Sequence, residues 1–411
     1  MARRPSNVLP AGVSPEARLL LAARGIRSVA DGLISVVLPA YLVERGYGAW
    51  ETGTIATATL VGSAVLTLAV GLHGGSWPKR TLLRGAAVLM LLTGLGFVGF
   101  ETFWPLLLVA FLGTLNPSSG DVSVFLPLEQ AELAQLAPDQ ARTRLFARYS
   151  FVGSMGAAAG ALMAGLPDVI GDATGTSREL ALKAMFGLYA CAGLAAFLIY
   201  RSLPQTAAPR MPTSPKPLGQ SRSTVLTLAA LFSLDAFGGG LVVQSLLALW
   251  LYQRFGLSLA TTGALFFWFS VLSAFSYFAA AWISERIGLV NTMVFTHLPA
   301  NLCLALAPFA PDLRTTLALL LIRSALSQMD VPTRTSFVMS VVAPEERPAA
   351  ASVTAVPRSL ASALGPMFAG ALLTSSAFGW PLVIAGSLKA AYDLLLLMMF
   401  RNWERRTTSP P

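Results

Sequence analysis

Apolar positions along this chain fall in long, nearly unbroken runs, with neither the alternation of a strand nor the single stripe of a surface helix. Twelve runs reach the roughly 20 residues that a helix needs to cross the hydrocarbon layer of a bilayer. They lie near Leu19–Val43, Thr52–Leu72, Thr81–Phe100, Phe103–Leu128, Leu145–Val169, Leu180–Tyr200, Thr224–Leu251, Ala260–Trp282, Val290–Ala310, Leu313–Val341, Ala349–Leu373 and Phe378–Phe400. Each is too long for a barrel strand, so helix is the form in which the backbone satisfies its own hydrogen bonds. The pattern predicts an all-α membrane protein of twelve spans.

The second half repeats the first. The stretch from Asp121 to Pro127, then Arg148 and a Gly/Ala-rich run from Gly153 to Gly165, returns as Asp330 to Ser336, Arg358 and a small-residue run from Ser359 to Gly370. The offsets are 330 − 121 = 209 and 358 − 148 = 210. Gly53 and Gly263 recur at 263 − 53 = 210. Two related helical halves around a site is the architecture expected of a transporter. The predicted organisation is a six-helix half over residues 1–201, a Pro/Ser/Thr-rich flexible linker over 202–223 and a second half over 224–411.

Composition agrees. Hydrophobic residues make up 55% of the chain and charged residues 12%, too little charge to keep a chain of this size dispersed in water. The net charge of +9 forms no dense basic patch with interleaved aromatics, so nucleic acid is not an expected partner. The excess sits in short loops between the runs: Arg3, Arg4, Lys79, Arg80, Arg142, Arg144, Arg201 and Arg347 fall on one side of a twelve-span path. By the positive-inside bias this places both termini in the cytoplasm, and the N-terminus reads as a retained tail. Cys191 and Cys303 each sit in an apolar run, which excludes a disulfide framework, and metal-ligand spacing is absent. Without a P-loop lysine or an ordered acid–base cluster, neither a cofactor nor catalysis is expected.

The chain resembles the major facilitator superfamily. Six plus six spans, a central linker and the half-to-half repeat carry the resemblance, with Asp31 to Leu42 similar to the family's first helices and Pro344 to Arg347 to its loop between spans ten and eleven. The family's loop between spans two and three keeps its glycines and basic end in Gly71 to Arg80 but lacks the usual acid. The drug-antiporter signature in span five is partial: Gly153, Gly156, Gly160 and Gly165 are present, while the Gly-Pro pair stands in span eleven as Gly365-Pro366. The resemblance implies that spans one, four, seven and ten line a central cavity.

An ionisable group inside a span costs about 2.5–3.5 kcal/mol on insertion scales, so each needs a partner or a wet cavity. Arg24, Arg27 and Asp31 in span one share one helical stripe with Ser28 and Ser35. Asp31 is either a protonatable coupling group with Arg27 one turn away, or half of a self-neutralising Arg27–Asp31 pair. Arg323, Ser327, Asp330 and Arg334 form a stripe in span ten. Arg323 lies in the outer half, where its fork of donors suits a carboxylate or phosphate, or a salt bridge to Asp235 or Asp31. The repeat's matched acids and bases suggest gating pairs Asp121–Arg148 and Asp330–Arg358. Asp235 in span seven precedes Gly238 to Gly240, and Asn116-Pro117 interrupts span four; both stretches read as bends, with Asn116 a candidate ligand. Lys389 and Asp393, at i and i+4 in span twelve, read as a self-neutralising pair, and His297 as a packing histidine.

Together these readings predict a monomeric secondary transporter in a bacterial inner (plasma) membrane, moving a small solute by alternating access. Protons couple through Asp31 and Asp235. Arg24, Arg27, Asn116, Arg323, Ser327 and Arg334 contact an anionic or zwitterionic substrate. The alternatives are a drug/proton antiporter for lipophilic cations and a sensor that binds without transport.

Overall fold

A computed structural model describes residues 13–73, 77–118, 123–203, 219–342 and 346–401. Sixteen α-helices run through the described residues, and no strand occurs among them. Helix occurs in each of the twelve expected stretches, in one piece or in two. Nine helical segments among the described residues are long and apolar enough to cross a membrane. Expected spans four, ten and eleven fall outside that set for local reasons.

Span four is split into α4 (Phe103–Leu112) and α5 (Phe125–Leu136). Span ten is split into α13 (Leu313–Leu326) and α14 (Asp330–Val341) and carries Arg323, Asp330 and Arg334. Span eleven, α15 (Arg347–Ser375), is long enough but is rich in Ala and Ser and includes Pro357 and Arg358. Span seven also breaks, between α9 (Arg222–Gly240) and α10 (Gln244–Phe255), directly after its three glycines.

Breaks inside a membrane segment free backbone groups that need partners. In span four, Ser118 donates its N–H to Asn116 Oδ1 at 3.2 Å, Thr114 donates its N–H to Thr93 Oγ1 at 3.3 Å, and Tyr189 donates its hydroxyl to Thr114 O at 2.9 Å. In α15, the Met367 N–H after Pro366 is accepted by Thr57 Oγ1 at 2.9 Å.

The chain divides into two compact units. The first holds α1 (Ala17–Glu44), α3 (Lys79–Gly99), α4, α5, α6 (Asp139–Leu162), α7 (Leu166–Thr174) and α8 (Arg178–Arg201), together with residues 58–73 of α2 (Ala49–His73) and the N-terminal turns of α11 (Leu259–Ile287), through Phe267. The second holds α9, α10, α12 (Leu289–Leu306), α13 to α15 and α16 (Trp380–Phe400), with the first turns of α2 and the rest of α11. The expected linker overlaps residues 204–218, which lie outside the described residues.

Within the first unit α1 packs along α6 and α8, and α3 along α8. Within the second the equivalent helices pair the same way: α9 along α15 and α16, and α12 along α16. Small residues set these contacts. A Cβ on Gly156 would stand 2.9 Å from Gly25 O, and one on Gly365 would stand 2.6 Å from Gly240 Cα. The repeat read from the sequence is thus a repeat of helix pairings.

Candidate functional site

The stripe expected on α1 is buried: Arg24, Arg27, Ser28, Asp31 and Ser35 all lie inside the first unit. Arg27 does not turn to Asp31. Its Nη2 forms an ion pair with Glu129 of α5, its Nε donates to Tyr200 OH at 3.1 Å, and its guanidinium covers the Phe125 ring at 3.9 Å. Glu129 is 0% exposed and accepts two further bonds, each 2.5 Å long, from Tyr149 OH and Tyr200 OH. A buried ion pair is tolerable when its remaining hydrogen-bonding capacity is filled, and here two tyrosines fill it.

Asp31 is left differently. It is buried yet makes no hydrogen bond or ion pair with the described residues, and Arg27 and Arg24 act on it only through their field. Arg24 lies over the Tyr149 ring at 5.0 Å, and its guanidinium fills the space where a Cβ on Gly153 would stand.

The second unit holds a larger network. Asp235 of α9 accepts from Arg334 Nη2 at 2.9 Å and from Lys389 Nζ of α16 at 2.5 Å. Arg334 also pairs with Asp330, one turn back on α14. His297 of α12 places Nδ1 2.9 Å from Asp393 Oδ1 and Nε2 3.9 Å from Asp235 Oδ1. Asn301 donates to Asp393 Oδ2 at 2.8 Å. Arg323 of α13 stands apart: it makes no ion pair with the described residues, and its Nε is buried without a hydrogen-bond acceptor. Among the described residues no cluster of metal-ligating side chains occurs.

The sequence profile of the Major Facilitator Superfamily matches residues 20–327 and, a second time, 225–411. The chain belongs to the Major Facilitator Superfamily. It is therefore an integral membrane protein of a transporter family, with its helices in two related halves, and not an enzyme. It is 26% identical over 422 aligned positions to an uncharacterized membrane protein of Saccharomyces cerevisiae, covering 94% of each chain. Among solved structures it is similar to the nucleoside transporter NupG, with a TM-score of 0.74 at 12% identity over 94% of this chain and 100% of that one. It is also similar to the human organic anion transporter MFSD10, with a TM-score of 0.66 at 18% identity over 93% and 100%. At these identities the solved structures show the superfamily fold alone.

Several expectations about the superfamily's charged spans need correction. The self-neutralising Arg27–Asp31 pair does not form, because Glu129 takes Arg27. The Asp330–Arg358 pair, expected to form in one conformation and break in the other, is not formed in this structure: Asp330 goes to Arg334, and Arg358 is exposed. Lys389 and Asp393 are not each other's partners; Lys389 reaches Asp235, and Asp393 reaches His297 and Asn301. His297 is part of the charge network and not a plain packing residue.

Arg27 and Arg334, expected to meet substrate, are each committed to acids of their own unit. Asn116 is buried and holds the break in span four; Ser327 caps α13, donating its N–H to Arg323 O at 2.8 Å. Arg148 is half-buried, and Asp121, its expected partner, lies outside the described residues.

Sequence reasoning missed Glu129. It follows Leu128, where the apolar run of span four ends, and so falls outside the spans in which buried charge is expected. The signal available was its place beside Phe125 and Leu128 on one face of a continuing helix.

Proposed function

We propose that the protein is a secondary transporter that moves a small anionic or zwitterionic solute by alternating access, coupled to protons, with both termini on the cytoplasmic side of a bacterial plasma membrane. The observation that carries the substrate class is Arg323, an arginine of α13 with no acid beside it among the described residues and a buried, unfilled Nε. The other arginines predicted to select anions are compensated or stacked: Arg27 by Glu129, Arg334 by Asp235 and Asp330, Arg24 over Tyr149. A guanidinium in a medium of low dielectric constant attracts carboxylates and phosphates and repels cations. Asp31, buried without a hydrogen bond to the described residues, is the acid best placed to gain and lose a proton. Asp235, held by Arg334 and Lys389, serves as a second acid whose partners exchange during the cycle.

A second reading also has an observation in its favour. The same unpaired Asp31 suits a lipophilic cation, as in a drug/proton antiporter. A thermal-shift panel of carboxylates, phosphates and organic cations on purified protein separates the two. Stabilisation by anions supports the first reading, and stabilisation by quaternary ammonium dyes supports the second. Flux of the stabilising compound into proteoliposomes, with and without a pH gradient, then tests transport and proton coupling against a sensor that only binds.

A further inference from the structure

Asp393 is 0% exposed on α16, and its two oxygens have two neighbours: His297 Nδ1 at 2.9 Å and Asn301 Nδ2 at 2.8 Å. Asn301 is neutral. The permanent cations nearby are already matched, Lys389 to Asp235 and Arg334 to Asp235 and Asp330. The imidazole is thus the ionisable group in direct contact with a fully buried carboxylate. A bare carboxylate in such surroundings is strongly disfavoured, so the pair holds a proton, on the ring or on the acid.

That proton lies between His297 Nδ1 and Asp393 Oδ1, while the second nitrogen faces another carboxylate, Asp235 Oδ1, at 3.9 Å. With the pair loaded, Nε2–H is directed to Asp235 and the shared proton closes the contact to Asp393; with the pair empty, one of the two acids faces a lone pair.

The surroundings from every packed element fit this assignment. From α9 comes Asp235, and from α16 come Lys389, Asp393 and the Tyr392 ring at 6.1 Å from the imidazole. From α14 come Asp330 and Arg334, one contact further out. On α12 itself, Asn301 touches the ring and Cys303 lies further along the helix. The arginines of α13, Arg314 and Arg323, make no ion pair or hydrogen bond with the ring or with Asp393. Arg358 of α15 is exposed and acts on Asp235 and Asp330 through its field alone.

We propose that His297 and Asp393, bridging α12 to α16 beside the Asp235 ion-pair network, form a proton-binding site of the transport cycle. The site lies off the helices that superfamily resemblance assigns to the cavity. Its role in coupling rests on the proton-coupled reading above; its existence does not. A proton leaving the ring at Nε2 passes to Asp235, which accepts it when Lys389 or Arg334 lets go.

The chain has two histidines, so a His73→Gln background leaves His297 as the single imidazole, and 15N-histidine spectra report on it alone. The expected result at neutral pH is a proton signal at each ring nitrogen in that background, the Nδ1 one shared with Asp393, and at one nitrogen only once Asp393→Asn is added. On dilution into heavy water the shared proton's signal should vanish within minutes. A signal at one nitrogen only in the His73→Gln protein overturns the proposal. So does a shared proton that persists for hours, since that marks a static contact. If Asp393→Asn does not fold, the signals and their exchange in the His73→Gln protein decide the matter alone, with Asp393→Glu expected to keep the shared proton. Loss of pH-gradient dependence in wild-type flux would sink the proton-coupled reading and leave these spectra unchanged, so the two failures are separable.

Discussion

Arg27 of α1 gives its guanidinium to Glu129, 102 residues away on α5, and not to Asp31 on its own helix. This choice divides the charges of the first unit into a closed pair and an open acid. Tyr149 and Tyr200 complete the closed pair, so it reads as the polar centre that fixes α1, α5, α6 and α8 in place.

Breaking that pair from one side should be costly. Glu129→Gln leaves a buried guanidinium without its counter-charge, a situation that costs about 3–5 kcal/mol. Thermal unfolding in detergent should show a large loss for Glu129→Gln, and the double variant Arg27→Met with Glu129→Leu should recover most of it. Additive losses in the double variant would mean that the two side chains are not energetically coupled.

Asp31→Asn should abolish uptake driven by a pH gradient while leaving exchange of substrate across the membrane intact. The reason is that Asp31 makes no hydrogen bond with the described residues, so its replacement by an amide removes a titrating group with little structural cost. Accumulation at the wild-type level in Asp31→Asn proteoliposomes would remove this residue from the coupling path.

Arg323→Ala should weaken binding of an anionic substrate by about 1.5–3 kcal/mol, the range for a hydrogen bond to a charged group. Arg323→Lys should restore only part, because a point charge lacks the bidentate fork. Calorimetric titration checks both. Because Arg323 has no acid partner among the described residues, neither substitution should lower stability much, which separates it from Arg27 and Arg334.

Outside the spans, Glu346 accepts backbone N–H groups from Gly219, Gln220 and Ser221 at 2.9, 3.2 and 3.1 Å, where the chain enters α9. The Gly219 N–H, then the bonds from Ser221 and Gln220, hold its carboxyl below the usual carboxylate range. A depressed folded value means the stabilisation is present above the ordinary carboxylate pKa and is lost as pH falls through the lower, folded one. The Tm difference between wild type and Glu346→Gln should therefore be seen at neutral pH and disappear in acid. A difference that is constant with pH would show that the amide and carboxylate cap equally.

Legible in the sequence alone were the long apolar helices, the half-to-half repeat, the interruptions around Asn116-Pro117 and at the Gly238–Gly240 run, and the shared face of Arg24, Arg27 and Asp31. All of these are local: they follow from run length, from helix period and from the backbone chemistry of proline and glycine. Which charge meets which was decided by tertiary structure. Spacing along one helix suggested Arg27 with Asp31 and Lys389 with Asp393, yet in both cases the partner came from another helix, Glu129 from α5 and Asp235 from α9. The physical reason is that i, i+4 pairing brings weak, flexible contact, whereas a group on a neighbouring helix meets the charge head-on and excludes other ligands from it. Arg334 and Asp330 do pair along one helix, with Asp235 holding the same guanidinium from across. Glu129 and His297 were visible as letters but not as partners: Glu129, past the end of an apolar run, shows its burial only once other helices cover it, and His297, inside span nine, meets its acids only once α16 and α9 lie beside α12.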